Sequence, residues 1–161
     1  MNVDHSYSVS VEWTGNRGTG TSAYRAYGRD LVVSIEGKTA VIEGSSDRVF
    51  FGDPERWNPE ELLVAALSQC HLLSYLHAAT NNGIIVERYT DEAFGTMQQT
   101  DDGGGHFTEV LLRPLVHISA GDPKLAFELH EEANAKCFIS SSVNFPVRHE
   151  PRILVVDDPR S

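Results

Sequence analysis

The chain is poor in cysteine and in positive charge, and it lacks the marks of a secreted or membrane-bound protein. Cys70 and Cys137 are the two cysteines among 161 residues, too few for the disulfide framework that staples small secreted domains. In a reducing compartment such a pair is either two buried spectators or a transient, catalytic couple. Thirteen Lys and Arg face 23 Asp and Glu, a formal net charge of −10. Nucleic acid and anionic membrane, which attract basic surfaces, are therefore disfavoured as partners. The start, Met1-Asn2-Val3-Asp4-His5, has neither the basic region nor the apolar run of a signal peptide. No segment approaches the roughly 20 apolar residues of a membrane span. The cytoplasm is the expected location. Internal repeats, low-complexity tracts and a glycine fingerprint between strand and helix are also missing, which argues against disorder and against a dinucleotide-binding sheet.

What is present is a chain with 40% apolar residues, enough to build one core, so residues 1–161 are expected to form a single domain. Tyr7, Val9, Val11 and Trp13 alternate with polar residues, the period of a half-buried strand. After the glycine-rich stretch Thr14 to Gly20, Leu31 to Ile35 and Thr39 to Ile42 read as further strands of an antiparallel meander. Ser45 to Trp57 has no period and reads as a loop.

Asn58-Pro59-Glu60-Glu61 is a helix start: Asn caps free amides, Pro suits the first position, and the carboxylates favour the positive end of the dipole. The helix is predicted to run to about Thr80. Its middle, Leu62 to Leu67, is apolar all round, the mark of a helix buried in a core. Ile84 to Met97 and Phe107 to Ile118 follow as two long strands about the turn Asp101-Asp102-Gly103-Gly104-Gly105, with Pro114 marking a bulge or edge. Asp122-Pro123 opens a second helix, with Leu125, Leu129 and Ala133 on one face, that stops near Cys137. Ile139 to Val143 is β-branched and serine-rich, and Ile153 to Val156 reads as a closing strand. The fold class is α+β, with antiparallel sheets around a long buried helix.

Cys70 lies on that helix in line with Leu63, Ala66, Leu67, Leu73, Ser74 and His77. Apolar surroundings disfavour the thiolate form of any cysteine, so a reactive Cys70 requires a cation. His71 points about 100° away around the helix and His77 lies two turns on. An arginine brought in by folding is better suited, being always charged and able to fork onto a carboxylate.

Asn58-Pro59-Glu60-Glu61-Leu62, followed by Ala65-Ala66 and Cys70, resembles the signature of the OsmC/Ohr family of osmotically induced and organic-hydroperoxide-resistance proteins. Cys137, 67 residues after Cys70, stands where the family has a second cysteine, and Trp13-Thr14-Gly15 with Arg17-Gly18 extends the likeness towards the amino end. The resemblance implies an intertwined homodimer with an OsmC-like fold and a cofactor-free, metal-free peroxidase. In it Cys70 attacks an organic hydroperoxide, becomes a sulfenic acid and condenses with Cys137, after which a dithiol of lipoyl or thioredoxin type restores both thiols. It also implies a Glu and an Arg beside the thiolate. Glu60 takes the glutamate's place. Arg17 is favoured for the arginine, with Arg48 and Arg56 as alternatives. Phe138 departs from the proline that many relatives carry after the second cysteine. Glu60 and Cys70 are separated by about 15 Å of helix, so one site that uses both must be composite, with Glu60 of one subunit near Cys70 of its twin.

Three other readings compete. Cys70, His71, His77, His130 and Cys137 are ligands suited to zinc, but no Cys-x-x-Cys or His-Glu-x-x-His occurs, and adjacent helical residues point apart. A Cys-His pair could serve hydrolysis, although no oxyanion-hole motif can be read. A non-catalytic member would use the apolar space beside the helix to hold a small hydrophobic ligand or to dimerise.

Overall fold

The computed structural model describes residues 3–156, which divide between two compact units, residues 1–62 and 63–161. The first unit is the expected meander. Strands β1 (Ser10–Trp13), β2 (Leu31–Ser34) and β3 (Ile42–Gly44) pair antiparallel in that order. β1 is shorter than the predicted strand, and all four of its residues are exposed rather than alternately buried. β3 begins only at Ile42 and ends at Gly44, where Ser45 N donates to Trp57 O at 2.9 Å and closes the long loop on itself. Inside that loop a 3-10 turn, Arg48–Phe50, is capped by Asp47, whose carboxylate accepts from Val49 N at 2.8 Å.

Helix α1 (Pro59–Asn81) starts where the sequence places it. Asn58 Oδ1 accepts from Glu61 N at 2.8 Å while Asn58 N donates to Glu61 Oε2 at 3.1 Å, a reciprocal capping box. The helix is more apolar than expected, long and apolar enough to cross a bilayer by length and composition. It is nevertheless a core helix on one side only. Leu67, His71, Tyr75, Ala78 and Ala79 form its buried stripe, whereas Leu73 is 66% exposed.

In the second unit the two long predicted strands each break in the middle and feed two sheets. One sheet holds β4 (Ile85–Asp91), β7 (Pro114–Ala120) and β9 (Arg152–Val155) in the order β4-β7-β9; the other holds β5 (Phe94–Gln99), β6 (Gly105–Leu112) and β8 (Val147–His149) in the order β5-β6-β8. The first long strand breaks after Asp91 and the second at Arg113, with Pro114 opening β7 rather than forming a bulge. At these corners Asp91 joins three segments. Its carboxylate accepts from Arg113 N at 2.7 Å and from Ser68 Oγ of α1 at 2.6 Å, supplying a partner for an amide that the bend removes from the ladder. Gly95 lets β5 come close to the helix, since a Cβ there would lie 2.7 Å from both Val64 Cγ2 and Phe107 Cε1. The β5–β6 hairpin turns at Gly103 (φ 85°), where only a residue free of Cβ sits without strain. The sheets are not wholly antiparallel. β8 and β9 join in parallel, Val110 opposite Val147 and Val116 opposite Ile153.

Helix α2 (Pro123–Lys136) is capped by Asp122, which accepts from Lys124 N at 2.9 Å. It buries Ala126, Leu129, His130 and Ala133, and the predicted β-branched segment after it contains a 3-10 turn, Ser140–Ser142. One core cluster unites Tyr75, Ala78 and Ala79 of α1 with Ala126, Leu129 and Ala133 of α2 and Val116 and Ile118 of β7; Leu67, Val110 and Leu112 form another.

Between the helices lies a polar core. His71 Nε2 and His130 Nδ1 are 2.9 Å apart, and the two residues are 1% and 0% exposed. Tyr75 stacks on His130 with ring centres 3.9 Å apart and donates its hydroxyl to Ala126 O at 2.9 Å. Burial, reinforced by His149, lowers His71 from 6.5 to about 4. Burial, reinforced by His71 and His149, lowers His130 to about 3. Both rings are therefore neutral near pH 7, and one donates to the other.

Two predictions follow from these polar contacts. Asp91→Ala should cost about 2–3 kcal/mol in urea denaturation, since it leaves an amide and a hydroxyl without their charged acceptor, and Asp91→Asn should cost less. Below pH 6.5 the unfolded chain takes up protons that the two buried histidines refuse, so stability falls as the pH drops and levels off only below their folded values. The loss from His71 alone is on the order of 3 kcal/mol by about pH 4. Urea midpoints measured from neutral pH down to about pH 4.5 should show this drop, and His130→Asn should reduce it.

Candidate active site

The two cysteines come from different helices and meet. Cys70 sits in the fourth turn of α1, while Cys137 ends α2, its own amide donating to Asn134 O at 3.3 Å. Cys137 leaves the helix in an extended conformation (φ −73°, ψ 112°), which turns its side chain into the protein, where it is 1% exposed. There it lies against Cys70, and its sulfur accepts from Ser140 N at 3.3 Å. Burial, and then the contact with Cys70, pushes the Cys137 thiol up to about 11, against the lowering influence of the Ser140 amide. Cys137 is thus a protonated thiol at neutral pH and a poor nucleophile. Cys70 is half-buried and reaches a cleft of about 530 Å³ lined by Leu73, Ser74, His77, Lys136 and Phe138.

The cleft is apolar on two sides. Leu73 and Phe138 are its large walls, and both are exposed, at 66% and 76%. His77 is held by Asn81, with Nε2 3.1 Å from Nδ2, and Lys136 is paired with Glu132 one turn back. Sequence reasoning treated Phe138 only as a departure from a family pattern and did not single out Lys136. Their positions on either side of Cys137 were the available signal.

Of the other predicted site residues, Glu60 and Arg17 lie in the first unit. Glu60 is half-buried in the first turn of α1. Arg17 is exposed and lines a cleft of about 390 Å³ with Arg25, Arg29 and Arg48. Arg29 is the fixed member of this group. Its guanidinium donates to Tyr27 O at 2.7 Å and Tyr24 O at 2.8 Å and lies over the rings of Tyr24, Tyr27 and Phe51. Arg25 also covers Phe51. Within residues 3–62 no carboxylate forms an ion pair with any of these four, whereas Arg56, an alternative to Arg17, is engaged by Asp30, Glu43 and Asp53. Arg25 and Arg29 were not foreseen, although the interleaved tyrosines of Tyr24-Arg25-Ala26-Tyr27-Gly28-Arg29 carry the pattern.

The five residues considered for zinc do not converge. Cys70 and His77 face the cleft, while His71 and His130 bind each other in the core. Among the described residues no group of three or more His, Cys, Asp or Glu side chains is placed to hold a metal ion.

Residues 52–152 match the family model for OsmC-like protein. An uncharacterized protein of Bacillus subtilis strain 168, YmaD, is 25% identical over 145 residues, covering 88% of each chain. Among solved structures, an OsmC-like protein of unknown function from Vibrio cholerae is 29% identical, with a TM-score of 0.81 over 92% of this chain and 100% of that one. An organic hydroperoxide resistance protein from Elizabethkingia anophelis shares the fold at 20% identity, with a TM-score of 0.64 over 97% of this chain and 100% of that one. The likeness spans both compact units, and the matched family segment contains Cys70, Cys137 and Glu60. The chain belongs to the OsmC-like protein family.

Proposed function

We propose that this protein is a thiol-dependent peroxidase that reduces organic hydroperoxides in the cytoplasm. The observation that carries the proposal is the asymmetric thiol pair: Cys70 open to an apolar cleft, and Cys137 buried and protonated against it. The Cys70 thiolate attacks the distal oxygen of ROOH. The O–O bond breaks, the alkoxide leaves as ROH after taking a proton, and Cys70 becomes a sulfenic acid. Cys137 then attacks that sulfur, its proton and the sulfenic hydroxyl leaving as water, and a Cys70–Cys137 disulfide remains. A dithiol of lipoyl or thioredoxin type reduces it by exchange. The hydrocarbon of Leu73 and Phe138 favours an alkyl hydroperoxide over hydrogen peroxide, by about 25 cal/mol for each Å² of apolar surface covered.

Arg17 and Glu60 complete the site in this reading, as the guanidinium that holds the thiolate and the carboxylate that orients the guanidinium. They reach Cys70 from a second copy of the chain. The relatives named for organic hydroperoxide resistance support the activity, and the unpaired arginine cluster supports the choice of Arg17 over Arg56.

Single-turnover mixing with cumene hydroperoxide and with hydrogen peroxide, followed by mass-spectrometric mapping of both thiols, tests the chemistry. Reduced protein should form the Cys70–Cys137 disulfide, faster with the organic peroxide. Cys70→Ser should consume none, and Cys137→Ser should turn over once and then overoxidise at Cys70. Two unchanged thiols would instead make the apolar cleft a binding site for a small hydrophobic ligand. The composite site has its own test. Cys70→Ser and Glu60→Gln chains, each inactive alone, should regain activity when mixed as heterodimers, because one of the two sites then has every native residue. Mixed dimers that stay inactive would mean that Glu60 does not serve Cys70 of the twin chain.

A further inference from the structure

The polar core contains a contact that the peroxidase cycle has not used. His71 follows Cys70 directly in α1, and His130 precedes Cys137 by two turns of α2. The pair that hydrogen-bonds between the helices is thus tied covalently, at each end, to the helix that carries a thiol. Around it the two helices share an apolar cluster with β7, to which they contribute, beside Tyr75, Ala78, Ala79, Ala126, Leu129 and Ala133. Such small apolar surfaces attract without direction and tolerate sliding or rotation. A buried hydrogen bond does not. It is directional, and leaving its donor unpaired costs the full desolvation of that group.

The surroundings hold each ring in place. Tyr75 stacks on His130 at 3.9 Å and ties back to Ala126 O on the same helix. His149 of β8 tilts against both imidazoles, with ring centres 5.4 and 6.1 Å away, and is itself held by Glu131 at 3.2 Å. With the rings fixed, the 2.9 Å contact between Nε2 of His71 and Nδ1 of His130 sets both the rotation and the axial register of α2 against α1. Two turns further on, that register is what places Cys137 beside Cys70.

We propose that the His71–His130 hydrogen bond is the positioning contact that holds Cys137 within bonding reach of Cys70. The role rests on the disulfide step of the proposed cycle, but it can be measured without peroxide. Equilibration with oxidised and reduced glutathione converts the two thiols and one oxidised glutathione into the Cys70–Cys137 disulfide and two reduced glutathiones. The equilibrium ratio gives the effective concentration of one thiol at the other.

His130→Phe keeps the ring and its stack on Tyr75 but removes Nδ1, and it should lower the effective concentration about tenfold. The atom positions make a sharper demand. An Asn amide reaches the place of Nδ1 and a Gln amide the place of Nε2. His130→Asn should therefore recover most of the loss and His130→Gln should not, while at position 71, where Nε2 makes the contact, His71→Gln should recover it and His71→Asn should not. A purely structural role predicts equal loss in the Asn and Gln variants. That result, or an effective concentration equal to wild type in all of them, would overturn the proposal. The Asn and Gln comparisons decide it even where the Phe variant does not fold. If wild type forms the disulfide with glutathione in the expected variant pattern yet consumes no peroxide, positioning stands and the peroxidase reading falls. If peroxide turnover is normal and the pattern is missing, positioning alone falls.

Discussion

Two imidazoles hydrogen-bonded to each other inside a hydrocarbon core are tolerated only while both are neutral, and this constraint underlies the packing of the second unit. A protonated ring there would be a charge with no carboxylate beside it in the core. Burial holds His71 near 4 and His130 near 3. Tyr75 is pushed up to about 12 by the same burial, and Tyr89 is raised by burial first and then by Asp91 and Tyr75. All four groups are uncharged at neutral pH, and burial is the largest cause of each shift. The polar core behaves as a set of directional contacts without net charge, which is how it can sit among alanines and leucines and still specify one arrangement of the helices.

The same desolvation sets the two thiols apart, as the proposed cycle requires. Both lie at the junction of α1 and α2, yet Cys137 is 1% exposed while Cys70 opens on a cleft. A thiol held near 11 does not compete for an electrophile in solvent, but it is well placed to close on a sulfenic acid formed against it. The extended backbone at Cys137 matters here. Had α2 continued one more residue, the side chain would have followed the helical sweep, and the Ser140 amide would not have met its sulfur. The serine-rich segment after the helix forms a 3-10 turn whose first amide caps that sulfur.

Local signals were legible and long-range ones were not. Asn58-Pro59 and Asp122-Pro123 announce the two helices because a cap is chemistry among neighbours, and the observed starts agree. The Asp-Gly turn between β5 and β6 was legible for the same reason. The division of each long strand between two sheets was hidden, since it depends on Asp91 meeting an amide 22 residues away. β8 is three residues long, too short to carry a period, and pairs with a strand far behind it. At the site, Cys70 and Cys137 could be named from a family likeness, but the His71–His130 contact joins residues 59 apart that sequence reading had assigned to a zinc alternative. Helical apolarity was misleading in another way. Leu62 to Leu67 is apolar all round, yet only Leu67 is fully buried, because composition reports what a helix could bury and not which side its own chain covers.

The proposed cycle needs a cation beside the thiolate, and the first unit narrows the choice. In a chain of net charge −10, four arginines share one cleft without a carboxylate of their own unit to neutralise them. Holding like charges together is unfavourable, and the structure offsets it with aromatic faces and backbone carbonyls instead of counterions. Such a site remains positive and is organised before any anion arrives. Arg56, by contrast, already has three carboxylates around it and would have to give them up. In the proposed composite site, an arginine from this cluster therefore meets the thiolate at lower reorganisation cost than Arg56 or a histidine of the same helix. Arg29 is locked by its tyrosines, whereas Arg17, exposed like Arg25 and Arg48, carries no such lock and is the member that the proposed composite site draws on.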